Sequence, residues 1–179
     1  MSRKTLWISI LLVFVIALGV IGYRLLGPFI EGRSYYYSHI AFTDLSNESI
    51  GKMRLHDNID KEAFRKEYGE PISKEDNVLY DYYHWKNGVE TASIMEGKEK
   101  GRIVRLIIGE NKELKTAKGI GLASTKQDVI SSYGLNYYER TEQGVTIIGY
   151  ADHKLHTTIE FWLGEGKVAH IRLDDADVD

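Results

Sequence analysis

The sequence predicts an α+β protein in which an N-terminal transmembrane helix precedes two tandem modules, each with one helix and a three-stranded antiparallel sheet. Three observations support this fold class. One segment near the N-terminus is uncharged and long enough to cross a bilayer. After it, a helical pattern followed by three β-rich runs occurs twice. Short matches between these two stretches keep a constant offset of 65 residues, which indicates an internal repeat.

The predicted anchor is the run from Thr5 to Tyr23, which contains no charged residue. A helix of that length extends for roughly 28 Å, close to the hydrocarbon thickness of about 30 Å. Arg3 and Lys4 precede the run, and cationic flanks are retained in the cytoplasm. We therefore predict a single-pass cell-membrane protein with a cytoplasmic tail over residues 1–4, a transmembrane helix over residues 5–26 and an extracytoplasmic C-terminal domain.

A cleaved signal peptide is the alternative interpretation of the same segment. Ala17 and Gly19 have small side chains at the spacing of a cleavage site. The apolar run nevertheless continues through Val20 and Ile21, where a cleavable signal turns polar. This continuity favours an anchor. Proline discourages helix continuation, so the helix is predicted to end at the Gly-Pro pair of residues 27–28.

The rest of the chain is predicted to comprise a connector and two modules. Residues 27–50 form a tyrosine-rich connector that is too apolar for a free linker. Module 1 is predicted over residues 51–112 and module 2 over residues 113–179. The Tyr-Gly pair at residues 68–69 recurs at residues 133–134. At the same offset, Leu106 and Ile108 correspond to Ile171 and Leu173.

Each module is predicted to open with a helix. In module 2, Ser124 and Gln127 match a capping box, and in module 1 the cap is Asp57 or Asn58. Runs rich in β-branched and aromatic residues follow each helix and are bounded by Gly, Asn or Asp. The predicted strands cover residues 78–85, 89–96 and 102–108 in module 1, and 145–150, 155–163 and 167–173 in module 2.

The last hairpin indicates which side chains share a face of the sheet. With residues 164–166 as the turn, Phe161 is predicted opposite Ala169 and Ile159 opposite Ile171. A slip by one residue would mix apolar and charged partners on both faces. The apolar face is therefore predicted to pack against the helices and form the core.

The other face is predicted to bind a protein. Large aromatic residues interspersed with Arg and His are typical of the centres of protein interfaces. Two alternatives remain open: the connector covers this face, or the two modules pack these faces together. Val168 is expected on the same side. The predicted binding residues are Tyr83, Trp85, Met95, Arg105, Ile107, Tyr150, Trp162, His170 and Arg172.

Composition and motifs argue against several function classes. The chain has no cysteine, so disulfides, thiolate metal sites and a Cys nucleophile are excluded. A net charge of −3 does not suit phosphate backbones, so nucleic acid is not an expected partner. The six histidines show no metal-ligand spacing, and the predicted Glu160–His170 pair is interpreted as a cross-strand ion pair rather than a catalytic dyad. We expect no cofactor, no metal and no catalytic activity.

The segment KGIGLASTKQDVISSYG, followed by strands ending in GKVAHIRL, resembles one repeat of the β-lactamase-inhibitor-protein (BLIP) superfamily. This superfamily includes the small outer-membrane assembly lipoproteins of the SmpA/OmlA type. The resemblance implies two tandem α+β modules that present a joint concave sheet for binding proteins. The transmembrane segment departs from both the secreted inhibitors and the lipoproteins. Tandem PepSY-type modules behind an anchor are a second candidate fold.

The sequence thus predicts a membrane-anchored extracytoplasmic protein-binding module without catalysis, with inhibition of the bound protein as one candidate role. Its expected partners are the lipid bilayer, through residues 5–26, and another envelope or membrane protein. The alternative is a structural or accessory subunit of a bacterial envelope complex, with contacts made by the anchor and connector. A cell-envelope enzyme is the third interpretation.

Overall fold

The computed structural model describes residues 3–30 and residues 32–178. Within it the chain forms two compact units, residues 1–39 and residues 40–179. The first unit is helical, whereas the second contains a β-sheet with two short helices.

The first unit consists of α1 (Arg3–Ile30) and α2 (Arg33–His39). α1 contains an apolar segment, Trp7–Pro28, of 22 residues with a mean hydropathy of 2.4. It is long and apolar enough to cross a membrane, and an N-terminal helix of this kind is either a signal sequence or a membrane anchor. The predicted helix end at residues 27–28 is wrong, because α1 continues through Pro28. Proline at this position removes the one helical hydrogen bond that its own N–H would donate, and the helix continues for two more residues.

The second unit contains one eight-stranded antiparallel sheet rather than the two three-stranded sheets predicted. The strand order is β1-β2-β3-β4-β8-β7-β6-β5, so the strands of the two halves join through β4 and β8. The first half comprises α3 (Glu62–Tyr68), β1 (Ser73–Asp76), β2 (Tyr80–His84), β3 (Val89–Ile94) and β4 (Ile103–Ile108). The second half comprises α4 (Lys126–Tyr133), β5 (Tyr138–Glu142), β6 (Val145–Asp152), β7 (Thr157–Gly164) and β8 (Lys167–Asp175).

All six predicted strands are present, but two edge strands were missed. β1 reads SKED and β5 reads YERTE, so both lack the β-branched, apolar pattern that identifies a strand. Charged residues are favoured on edge strands because they discourage pairing with other chains. The same charge therefore conceals these strands in the sequence.

The central strand pair is symmetrical with respect to the 65-residue offset. Leu106 of β4 lies opposite Leu173 of β8, and Ile108 lies opposite Ile171. At that offset Leu106 corresponds to Ile171, and Ile108 to Leu173, so each residue faces the equivalent of the other. Such pairing is what a two-fold arrangement of two repeats produces. The division into modules at residues 51–112 and 113–179 remains a prediction.

The core lies between one face of the sheet and helices α3 and α4. Phe64 of α3 packs against Trp85 with ring centroids 5.2 Å apart. Tyr133 of α4 packs against Tyr150 at 5.1 Å and against Phe161 at 5.2 Å. These buried residues belong to one apolar cluster that extends through both halves. Burial of this continuous cluster is the main stabilising contribution to the fold.

Two local predictions require correction. The N-cap of α4 is Thr125 and its capping-box partner is Asp128, rather than Ser124 and Gln127. An Asp three residues after the cap fills the role that was assigned to Gln127, because its carboxylate also accepts the backbone N–H of the cap.

The register of the last hairpin is also wrong, by two residues. Phe161 lies opposite Ile171 and Ile159 opposite Leu173, because the turn is tighter than predicted and a β-bulge follows at Trp162. Side chains alternate with a period of two, so the two-residue shift preserves the predicted faces of Phe161 and Ile171. Between the bulge and the turn the division changes, and Ala169, predicted on the core face, is exposed.

Candidate binding face

Five of the nine residues predicted to bind lie together on the second face, which we define as the side of the sheet opposite the core helices. Arg105 and Ile107 come from β4, Trp162 from β7, and His170 and Arg172 from β8. Strand pairing places Trp162 opposite His170 and Ile107 opposite Arg172. Alternate residues of these strands contribute to the core, so the five point away from it.

Three other predicted binding residues lie on the core face, which corrects their expected exposure. Trp85 is 1% exposed and Tyr150 is 0% exposed, and Tyr83 packs against the core cluster. The indole Nε1 of Trp85 donates to Thr91 Oγ1 at 3.0 Å. The hydroxyl of Tyr150 donates to the carbonyl of Gly134 at 3.0 Å. Both polar groups are satisfied inside the protein, as buried aromatic residues of these types require.

The wrong face was assigned because β2 and β6 carry large residues on both sides. In β6, Ile147 and Ile148 are both fully buried although they point to opposite faces. The strand alone therefore does not indicate which side meets the helices. Its pairing with β7 does, because Tyr150 lies opposite the core residue Ile159.

Met95 and Val168 complete the comparison with the predicted face. Met95 lies just beyond the end of β3 and is half-buried. Val168 is 2% exposed and belongs to the core cluster. The bulge beside Trp162 pairs Val168 with Leu163, which moves it to the core face.

The second face is organised around the buried carboxylate of Glu160, which is 1% exposed. Oε1 accepts hydrogen bonds from the hydroxyl of Tyr138 at 2.7 Å and from Nε of Arg140 at 2.8 Å. Oε2 accepts from Nη2 of Arg140 at 3.0 Å and from Nη2 of Arg172 at 2.9 Å. The carboxylate is thus compensated by two guanidinium groups and one hydroxyl, as burial of a charge demands.

The same ion-pair network continues into the first half of the sheet. Arg172 Nε lies 2.8 Å from Asp174 Oδ2. Asp174 Oδ1 accepts from Nε of Arg105 at 2.7 Å, and Nη1 of Arg105 donates to the hydroxyl of Tyr82 at 3.4 Å. A continuous series of ion pairs and hydrogen bonds therefore connects residues of β5, β7, β8 and β4, and it ends at the hydroxyl of Tyr82 on β2. Each arginine is held by more than one contact, which limits its rotamer freedom.

Trp162 lies above this network and is half-buried, so part of its ring remains accessible. The guanidinium carbon of Arg172 is 4.7 Å from the indole ring centre and that of Arg140 is 5.9 Å from it. The His170 ring contacts the indole edge-on, with centroids 4.9 Å apart and planes inclined by 81°. Cation–π and edge contacts of this kind fix the indole in one orientation.

Two pKa values reflect these surroundings. Burial alone would raise the pKa of the Glu160 carboxyl, but the hydrogen bond and charge of Arg140, with Arg172 and Tyr138, hold it below its ordinary value. Burial, together with the positive charge of Arg172, lowers the pKa of His170. Glu160 is therefore ionised and His170 is neutral at pH 7. The predicted Glu160–His170 pairing is wrong, because the corrected register places Arg172 opposite Glu160.

Sequence reasoning missed several members of the network. Tyr138 and Arg140 lie on the unpredicted strand β5, and Asp174 lies just beyond the predicted last strand at residues 167–173, although it is 1% exposed. The alternating charges of His170, Arg172 and Asp174 in β8 were the available signal. They identify a strand face, but only the pairing with β7 and β5 brings their partners into contact.

The other end of the second face is covered. Tyr80, Tyr82 and Ile94 pack around a small apolar cluster that includes Ala92 and Val178. Val178 lies near the C-terminus and is 3% exposed. The C-terminal residues therefore cover the first-half end of this face, a role that had been considered for the connector.

The part of the connector that belongs to the sheet unit is attached at the edge of β6. Thr43 N–H donates to the carbonyl of Ala151 at 2.8 Å, and Leu45 N–H donates to Asp152 Oδ2 at 3.1 Å. His153 Nε2 lies 2.9 Å from the carbonyl of Ile40. Among residues 3–30 and 32–178, no group of three or more His, Asp or Glu side chains is arranged to hold a metal ion.

No protein family matches the sequence, and no curated protein is significantly similar to it. One solved structure is similar. It is a DUF4309 family protein, YjgB, from Bacillus subtilis subsp. subtilis str. 168, with 18% sequence identity and a TM-score of 0.39. The match covers 64% of this chain and 76% of that one.

This finding corrects the expected resemblance to the BLIP superfamily. The solved structure that the chain resembles is a DUF4309 protein and not an inhibitor of that superfamily. The motif on which the expectation depended, a capped helix with a Tyr-Gly exit, is short. It reports a helix that packs on a sheet, and many unrelated α+β proteins have such a helix.

Proposed function

We propose that this protein is a membrane-anchored extracytoplasmic module that binds another envelope protein through the second face of its sheet. In this proposal α1 is an uncleaved anchor, the N-terminus is cytoplasmic, and the two halves of the sheet are tandem modules. The chain itself performs no catalysis, and its role is recognition.

The observation that carries the proposal is the position of Trp162. It is a large half-buried aromatic residue on the non-core face, flanked by Arg140 and Arg172. Trp and Arg are the residue types most often responsible for binding energy at protein interfaces. In a module that only had to be soluble, a charged or small residue at this position would avoid exposed apolar area.

Preorganisation also supports a binding role. Arg140 and Arg172 are held by the buried Glu160 carboxylate, and their side chains are only 10% and 20% exposed. Ordering long side chains on binding costs about 0.5–1.5 kcal/mol each, and that cost is already met here by folding. The matching partner surface offers an apolar side chain to Trp162 and Ile107, and hydrogen-bond acceptors near the two arginines.

The test is Trp162→Ala in the full-length, tagged protein expressed in its own membranes. We expect capture of the partner after crosslinking to fall by roughly 30-fold, which corresponds to a hot-spot loss of about 2 kcal/mol. Near-UV circular dichroism of the purified variant in detergent should retain the wild-type spectrum apart from the contribution of one indole, because Trp162 lies outside the core.

The matched control is Leu135→Ala, which removes a large apolar side chain that is 81% exposed, in the segment between α4 and β5. It should leave capture unchanged. Equal capture by wild type and Trp162→Ala would contradict the binding-face proposal. If capture persisted in Trp162→Ala but required residues 33–39, the alternative of a structural subunit that makes contacts through its anchor and connector would be favoured instead.

A further inference from the structure

The two helices of the N-terminal unit form a tight antiparallel turn. The ring centroid of Tyr35 in α2 lies 5.8 Å from that of Tyr23 in α1, and the ring centroid of His39 lies 6.0 Å from that of Tyr23. The rings of Tyr35 and His39 stack on each other with centroids 4.3 Å apart. Because later residues of α2 meet earlier residues of α1, α2 runs back along the last turns of α1 instead of leading away from it.

Gly27 makes this close approach possible. A Cβ atom at residue 27 would lie 2.6 Å from Cε2 and 2.7 Å from Cδ2 of Tyr35. Carbon atoms do not approach so closely, so any side chain at this position displaces the Tyr35 ring. Gly22 provides a contrast within the same helix, since a Cβ there would meet nothing within 4 Å. Gly27 is therefore the specific notch into which α2 packs.

The composition of α2 suits only one layer of a membrane. Its sequence, RSYYYSH, has no aliphatic and no acidic residue. Three tyrosines combine apolar rings with hydroxyls that require water or a polar partner, which is the property that places Tyr at membrane–water interfaces. Arg33 adds a cation beside them. Neither the hydrocarbon interior nor bulk water accommodates this set as well as the headgroup layer does.

The position of α2 along α1 agrees with that layer. The apolar segment of α1 extends from Trp7 to Pro28, so its last turns reach the outer boundary of the hydrocarbon if α1 spans the bilayer. The contacts with Tyr23 and Gly27 hold α2 at this depth. We propose that α2 is an interfacial helix that binds the phospholipid headgroups of the outer leaflet, and that Tyr35 locks it against the notch at Gly27.

This inference rests on the proposed membrane anchoring but not on the proposed protein-binding face. The chain contains no cysteine, so single cysteines introduced in the full-length protein carry nitroxide labels without background. Ser38→Cys reports on α2, because Ser38 is exposed. Leu12→Cys reports on the middle of α1, and Glu96→Cys reports on an exposed position in the sheet unit. Each variant is reconstituted in vesicles of phosphatidylethanolamine and phosphatidylglycerol.

The measured quantity is the accessibility of each label to oxygen, which partitions into the bilayer, relative to a water-soluble nickel complex. We expect the ratio for Ser38→Cys to lie between the high value of Leu12→Cys and the low value of Glu96→Cys. Adding Gly27→Leu should lower the Ser38→Cys ratio to that of Glu96→Cys, while Gly22→Leu, the matched control, should leave it unchanged.

The outcomes separate the two claims. If Leu12→Cys is lipid-exposed but Ser38→Cys is as aqueous as Glu96→Cys, the interfacial role of α2 is overturned and the anchor stands. An unchanged ratio in Gly27→Leu overturns the notch. If Leu12→Cys is itself aqueous, membrane anchoring fails and the inference fails with it. None of these results depends on whether Trp162 binds a partner.

Discussion

The two halves of the sheet follow one order of elements, but they differ in the length of their strands and in the capping of their helices. In the first half the strands have four to six residues, and the N-cap residue of α3, Lys61, makes no side-chain hydrogen bond to the helix. In the second half β6, β7 and β8 have eight or nine residues, and α4 begins with a full capping box. The buried carboxylate Glu160 also lies in the second half.

This difference indicates which half of the sheet carries the specialised residues. At the 65-residue offset, Glu160 corresponds to Met95 and Arg172 corresponds to Ile107. The second half therefore carries ion pairs where the first half carries apolar side chains. The first-half end of the second face is covered by the C-terminal residues, whereas Trp162 remains accessible in the second half. We infer that the first half mainly stabilises the sheet and that the second half mainly binds the partner protein.

The largest expected effects come from the corresponding core positions Trp85 and Tyr150. Truncation of a large buried aromatic side chain costs about 3–5 kcal/mol. Trp85→Ala and Tyr150→Ala should each lower the free energy of unfolding by an amount in this range, measured by denaturant titration of the full chain in detergent. If one substitution were tolerated and the other were not, the two halves would not share a core plan.

The next effect concerns the carboxylate that distinguishes the halves. Glu160→Gln removes the charge that compensates Arg140 and Arg172. Breaking a buried ion pair costs about 3–5 kcal/mol, and we expect the lower end because both arginines keep a second carboxylate partner. Met95→Gln, the same change of residue type at the corresponding position, should alter stability by about 0.5 kcal/mol or less, because Met95 is only half-buried. Equal losses in the two variants would contradict the proposed specialisation.

The same carboxyl should make stability depend on pH. The pKa of Glu160 in the folded protein lies below its ordinary value of 4.5. Its contribution is therefore present in full above about pH 4.5 and is lost as the pH falls through the folded value. Thermal unfolding recorded at successive pH values below 4.5 should decline less steeply in Glu160→Gln than in the wild type. Parallel curves would show that Glu160 is not held ionised by the arginines.

The smallest expected effects concern the helix caps. Thr125→Ala removes the side-chain acceptor that bonds the Asp128 N–H, and it should cost about 1 kcal/mol. Lys61 is an N-cap residue without a side-chain hydrogen bond, in extended conformation with φ −73° and ψ 136°. Lys61→Ser should therefore stabilise α3 by up to about 1 kcal/mol. The midpoint of denaturant unfolding should move in opposite directions in the two variants.

Much of the architecture could be predicted from the sequence, because it follows from the pattern of apolar and polar residues. The six apolar strands, both core helices and the N-terminal apolar segment follow from periodicity and length. The edge strands β1 and β5 do not, since SKED and YERTE are too polar to differ from loops. The joining of the halves also escaped prediction, because pairing between β4 and β8 is a long-range contact that neither strand specifies by itself.

The candidate site was predicted only in part, for a similar reason. Trp162, His170 and Arg172 were placed on the correct face because side chains of the last hairpin alternate between faces, and an error of two residues in register does not change that alternation. Trp85 and Tyr150 were assigned to the wrong face, because their strands carry large residues on both sides. The partners of Glu160 come from two other strands, β5 and β8, and only the folded sheet brings them together.

The most direct test places a photo-crosslinking amino acid at Trp162 in the full-length chain and irradiates intact membranes. The same amino acid at Leu135, which is exposed but lies outside the second face, serves as the comparison. The account predicts a discrete adduct with one envelope protein from position 162 and none from position 135. No adduct from either position, or the same adducts from both, would contradict the proposal that the second face is the surface through which this protein binds its partner.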